Sequence, residues 1–225
     1  MSRLSMKAIR RALFVLGALA LVAACAVAVY AYHIRRRAAE LVHISYVITQ
    51  QGSRPTIHML QRYFGSALKQ TDACENQACG YSVQVTNRIL AFLRLAPYTG
   101  LGSSFWVKDG IVELDDVISW TETREKNQIG VGVSVQYCDR CSRFRIGPWS
   151  DSAPLNSNGA INITNTSTAA NLRAALGMDP GCIVSFRGCT SIAELLPTAW
   201  ERTTDQTIRC RIPNRNGVVD NATAP

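Results

Sequence analysis

Histidine is scarce in this chain, with three in 225 residues, and charge is sparse at 18%. No acidic residue occurs before Glu40, and only one stretch is apolar for long enough to cross a bilayer. Each shortage excludes something. With His33, His43 and His58 as the whole imidazole supply, a Ser–His or Cys–His dyad has few ways to form. A single long apolar run excludes a polytopic transporter. No Gly-x-Ser-x-Gly, phosphate-binding glycine loop, His-Glu-x-x-His or Ca²⁺ loop is present, and no internal repeat. The 47% hydrophobic content excludes a disordered or collagen-like chain, which could not fill a core.

The formal charge of +8 is unevenly placed. Arg3, Lys7, Arg10, Arg11, Arg35, Arg36 and Arg37 carry nearly all of it, while the rest of the chain is close to neutral. A nucleic-acid binder needs a basic face across its fold to neutralise phosphates. Here the basic residues flank an apolar segment instead, so the expected partner is a membrane and not a nucleic acid. Ala12 to Tyr32 has no charge, and as a helix it would reach about 31 Å, the hydrocarbon thickness. Tyr30 and Tyr32 end it with rings suited to the headgroup level. The reading adopted is a single-pass signal anchor. A lipoprotein signal is the alternative, because Val22-Ala23-Ala24 precedes Cys25, the possible lipidation site; an ordinary cleaved signal is a third.

Of eight cysteines, the seven beyond the membrane segment point to an oxidising compartment outside the cytoplasm. Local spacing pairs Cys74 with Cys79, Cys138 with Cys141 and Cys182 with Cys189, leaving Cys210 over; spacing alone does not fix connectivity. Cys138-Asp-Arg-Cys141 also permits a membrane-tethered thiol-redox or zinc-binding protein. No amphipathic helix follows it to lower a thiol pKa, and a second zinc knuckle is missing, so disulfides are the expectation, with no metal and no cofactor.

Periodicity gives an α+β domain: an antiparallel sheet of four to six strands with a few short helices on one face. Pro55 suits the first position of a helix through Ile57, Leu60 and Phe64, stopped at Gly65. Tyr81 to Val85 alternates as a strand, and Asp109-Gly110 between apolar runs marks a hairpin. Ile129 to Tyr137 alternates again, and Ile161 with Ile163 forms a short strand. Thr168 caps a helix, Ile183 to Phe186 reads as a strand, and Ser191-x-x-Glu194 is a capping box. Ile208 to Ile212 is a last strand. Glu113, Asp115 and Asp116 read as a solvated strand face guarding an edge, with a metal or shared proton as the alternative. The tryptophans read as core. The resulting organisation is a basic cytoplasmic segment (1–11), a transmembrane anchor (12–32), a juxtamembrane helix and linker (33–53), a disulfide-braced domain (54–213) and a tail (214–225).

Two stretches carry a resemblance. One is Cys74-x4-Cys79-x-Tyr81-x-Val83-x-Val85-x-Asn87 with Leu90, Leu93, Leu95, Ala96-Pro97 and the Val107-Lys108-Asp109-Gly110 turn; the other is Gly188-Cys189 with Leu195-Leu196-Pro197 and Trp200. With the N-terminal anchor, they resemble a group of uncharacterised bacterial envelope proteins with one membrane helix and one compact domain. A looser likeness is to the helix-then-sheet domains of outer-membrane assembly lipoproteins. The resemblance implies an envelope location, with the C-terminal domain in the periplasm; the expected partner, beside the membrane itself, is an envelope protein. It implies no activity. The expected function is a non-enzymatic binding or structural module, meeting its partner through the sheet face opposite the helices and the loop Trp149–Gly159.

Overall fold

The computed structural model describes residues 6–51, 53–71, 74, 78–122, 128–137, 158–165 and 167–198. Helix α1 (Met6–Gln50) runs 45 residues without a break, about 67 Å at 1.5 Å per residue. It is long and apolar enough to cross a membrane, and none of its most apolar 18 residues is buried. The last three turns differ. Ala38, Leu41, Ser45, Ile48 and Thr49 are buried, spaced three and four apart on one face. Residues 38–49, assigned by sequence to the stretch ahead of the domain, therefore supply part of its core.

Gly65, with φ 51°, stops helix α2 (Ile57–Phe64), and its N–H bonds the Gln61 carbonyl. The cap at the other end is Thr56, whose hydroxyl accepts from Met59 N. Pro55 thus lies ahead of the helix, where its carbonyl accepts the Val112 N–H at 2.8 Å, a correction to its expected place in the first turn. Strands follow as β1 (Lys69–Gln70), β2 (Ala78–Thr86), β3 (Thr99–Lys108), β4 (Ile111–Glu122), β5 (Gln128–Gln136) and β6 (Asn158–Thr164), with helix α3 (Arg88–Phe92) between β2 and β3. The six form one sheet in sequence order. Every pairing from β1 to β5 is antiparallel; β6 joins β5 in parallel, which the alternation alone did not reveal. The α+β class stands as read from periodicity. Asp109 and Gly110, with φ 52° and 77°, make the tight β3–β4 turn; both central residues in the left-handed region match the strand twist.

Helix α4 (Ala169–Leu176) is capped by Thr168, which accepts from Asn171 N. Helix α5 (Ile192–Leu195) is capped by Ser191, which accepts from Glu194 N. Between them Pro180–Val184 is a 3₁₀ turn, not the strand expected at 183–186. Pro180 cannot donate to a ladder, and Asp179 accepts from Gly181 N, which favours a tight turn. The expected strand at 208–212 and the tail lie outside the described residues.

The sheet's inner face carries Leu101, Phe105, Val117, Val131, Val133 and Val135, all buried beneath α1, α2, α4 and α5. Phe64 meets Phe105 at 5.6 Å between ring centroids. The outer face carries Trp106, Ile118 and Trp120. Trp120 lies across the glycine opposite it in the ladder: a Cβ on Gly100 would collide with the indole. Trp106 is 44% exposed, so these two tryptophans are not core, contrary to expectation. Trp149 and Trp200 lie outside the described residues, as does most of the Trp149–Gly159 loop.

Candidate functional site: a buried carboxyl beneath the long helix

Of the three acids after the hairpin, one is fully inside. The β3–β4 register pairs Trp106 with Leu114 but Val107 with Val112, so β4 carries a bulge at Glu113. Side chains alternate faces along a strand, and one extra residue inverts that alternation beyond it. Val112 and Asp115 consequently both face inward, where regular alternation would have sent Asp115 out. β4 is also a central strand. The reading of Asp115 as part of a solvated edge-guarding face is therefore corrected: its exposure is 0%.

The surroundings of Asp115 form a chain of hydroxyls. Ser103 donates to Asp115 Oδ1 at 2.8 Å. Having spent its proton there, Ser103 accepts from Ser45 at 3.2 Å. One turn on, Thr49 donates to the Ser45 carbonyl at 2.8 Å and so accepts from the Tyr137 hydroxyl at 3.2 Å. Asp115 Oδ2 has no protein partner, nor has Asp116 Oδ1. Burial is the main reason the Asp115 carboxyl is pushed up to about 8; the Ser103 hydrogen bond opposes that and the Asp116 charge adds to it. Burial, then the Asp115 charge, pushes the Tyr137 phenol up as well, so it remains a donor. At neutral pH the cluster is a set of uncharged groups joining α1 to β3, β4 and the end of β5. It fixes the rotation of α1 on the sheet, because a slipped helix would leave buried hydroxyls unpaired.

A second polar staple sits at the other end of the sheet. Buried Asn87 donates to the carbonyls of Pro97 and Ile183, both at 2.8 Å, and accepts from Thr99 N at 2.9 Å. Gly188, φ 71°, packs so closely there that a Cβ would meet Pro97 and Thr121 at 2.9 Å.

The cysteines are placed as follows. Cys74 is disulfide-bonded to Cys79, and Cys182 to Cys189. Cys25 is unpaired and exposed on the apolar part of α1. Cys138, Cys141 and Cys210 lie outside the described residues. Asp179, which sequence reading passed over, has a carboxylate oxygen close to both sulfurs of the second pair. That trio offers three donors where a structural zinc site takes four, and its sulfurs are joined to each other. All three histidines are exposed.

Among the described residues, two of the recesses on the surface are well formed, and neither is lined by the buried cluster. One, about 470 Å³, lies between Ala91, Arg94, Tyr98, Glu122 and Phe186. The other, about 290 Å³, lies between α1 and α4, lined by Val42, His43, Tyr46, Arg173 and Leu176. Arg173 closes it, donating to the Tyr46 hydroxyl at 2.9 Å with its guanidinium over the ring.

The chain matches no protein-family model, no curated protein and no solved structure.

Proposed function

We propose that this protein is a signal-anchored, single-pass module of the cell envelope whose disulfide-braced domain stands outside the cytoplasm and binds an envelope protein without catalysis. The observation that carries the reading is the continuity of α1. One helix is bare and apolar for a membrane's thickness, then buried on one face against the sheet, so anchor and domain form a single rod-and-head unit. Such a unit holds a binding surface at a fixed height above a bilayer. The two disulfides support an oxidising compartment. The serines and the acid inside the domain are spent on gripping α1, which supports a structural over a catalytic role for them. The outer sheet face, with Trp106 and Ile118 exposed, offers the rigid aromatic anchors that protein recognition favours.

The test is intact mass and alkylation mapping of the chain from its native membrane, with and without reduction. Cys74, Cys79, Cys182 and Cys189 are expected to alkylate only after reduction, with the N-terminus uncleaved. Free thiols at those positions before reduction would place the domain in a reducing compartment and end the reading.

A further inference from the structure

Five of the exposed large apolar residues of the head, including its two most exposed, Phe92 and Phe186, lie at the end where α1 enters it, apart from Tyr63, Trp106, Ile111 and Ile118 elsewhere on the surface. The contacts of α1 give its direction across the sheet. Ser45 sits over Ser103, and Thr49 meets Tyr137, whose N–H bonds the Glu113 carbonyl beside the β3–β4 turn. The helix therefore ends toward the Asp109-Gly110 turn, and its apolar half leaves past the opposite end of the sheet, that of Asn87, Thr99 and Glu122. At that end Ile89, Phe92, Leu93 and Leu95, from α3 and the turn after it, are exposed, Phe92 by 86%. Phe186, 68% exposed, joins them across the recess it shares with Arg94. The segment carrying Phe186 is tied there by the Asn87–Ile183 hydrogen bond.

The height of this patch follows from rises per residue. Thr99 precedes Ser103 on β3 by roughly 13 Å at about 3.3 Å per residue. For a helix running in line with β3, the same distance back along α1 from Ser45 is about nine residues, which reaches the level of Arg36. α3 lies beyond Thr99, because Asn87 N bonds the Thr99 carbonyl and α3 follows Asn87. It is therefore level with the last turns of the apolar segment, around Tyr30 to Ile34. In agreement, Val27, Tyr30, Ala31 and Ile34 are half-buried and continue the stripe of Ala38 and Leu41. The charge fits too. Arg88 and Arg94 are exposed within the patch, Arg35, Arg36 and Arg37 stand at the same level on α1, and against these five cations the recess beside Arg94 carries one exposed acid, Glu122.

We propose that this end of the domain docks on the bilayer that α1 spans, with Ile89, Phe92 and Leu93 entering the headgroup–acyl boundary and Arg88 and Arg94 meeting the phosphates of anionic phospholipid. Aromatic and apolar side chains with basic neighbours are what an interfacial surface requires. Four exposed large apolar residues within seven positions, Ile89, Phe92, Leu93 and Leu95, are a cluster of the kind that marks an interaction surface. The inference rests on α1 being a membrane anchor.

The test uses the full chain in vesicles of phosphatidylethanolamine and phosphatidylglycerol, with and without bromine on the acyl chains, reading tryptophan emission relative to the unsubstituted protein. Phe92→Trp and Leu93→Trp are expected to be quenched by bromine to an extent comparable with Tyr32→Trp, and Ile111→Trp at the far end of the sheet is expected to be unaffected. Replacing phosphatidylglycerol with a zwitterionic lipid, or making Arg88→Glu with Arg94→Glu, is expected to reduce the quenching at Phe92→Trp but not at Tyr32→Trp. Quenching at Tyr32→Trp alone would overturn the docking while leaving the anchor standing. Quenching at none of the positions would overturn both. A blue shift at Phe92→Trp that follows protein density without bromine quenching would assign the patch to a second copy of the chain and likewise overturn the proposal.

Discussion

The two halves of α1 are made of similar residues and do different work. In the first, Leu13, Phe14, Leu16, Leu19 and Leu21 are all exposed, and apolar side chains occupy every face. In the second, burial is confined to a stripe, and that stripe includes Ser45 and Thr49, which an apolar span would not place at its contact points. The first half is matched to a solvent and the second to a partner surface. Lipid rewards total hydrophobicity, whereas a sheet rewards the right side chain at each third or fourth position.

That difference can be broken most severely at Ile48, which is fully buried. Ile48→Asp is expected to destabilise the domain by about 5 kcal/mol, since it buries a charge without a partner. Leu19→Ala in the first half is expected to leave the domain's urea midpoint in detergent unchanged.

The next largest effect is pH-dependent and belongs to the second half alone. The Asp115 carboxyl is pushed up to about 8 in the folded protein, above its unfolded value. The folded chain thus keeps a proton that the unfolded chain has already lost over the window from about pH 4 to 8. Stability is fullest at the acid end of that window and falls as pH rises, by at most ~1.4 kcal/mol per pH unit. Urea titrations of Asp115→Asn are expected to show that slope flattened. An undiminished slope would assign it to another group.

Cys182→Ser with Cys189→Ser opens a loop in the segment whose 3₁₀ turn packs against α1. The expected loss is about 2 kcal/mol, from a less constrained unfolded chain. Smallest is the effect of one alanine inserted after Arg37. Every buried residue from Ala38 onward keeps its register, so the melting temperature is expected to fall only slightly, through the half-buried Val27, Tyr30, Ala31 and Ile34, while the first half turns by about 100° relative to the head. Bromine quenching at Phe92→Trp is expected to change in that variant although stability barely does.

The parts of this architecture that were legible in sequence depend on neighbours within a few residues. Asp109-Gly110 and the Thr168 and Ser191 caps announce themselves because turn and cap chemistry is local, although Glu194 accepts from Thr190 N and not from Ser191 N as a full box requires. The alternation of Ile129 through Tyr137 declares a strand for the same reason. What escaped depends on pairing. The bulge at Glu113 is set by how β4 registers on β3, and it alone decides that Asp115 faces in. The parallel pairing of β6, and strand β1 with only Lys69 and Gln70, leave no periodic trace. Phe186 carries an apolar residue for an exposed position beside Arg94, which reads as a strand until Pro180 and the Asn87 staple are seen together. The candidate membrane-facing patch was illegible because its meaning comes from the direction in which α1 crosses the sheet.

The central claim is that one continuous helix, with no hinge, joins the apolar segment to the domain. Amide hydrogen exchange of the full chain in lipid nanodiscs tests it most directly. The account predicts slow exchange running unbroken from the apolar segment through Arg35, Arg36 and Arg37 to Thr49. Fast exchange confined to residues 33–40, between two protected segments, would show a flexible linker and contradict it.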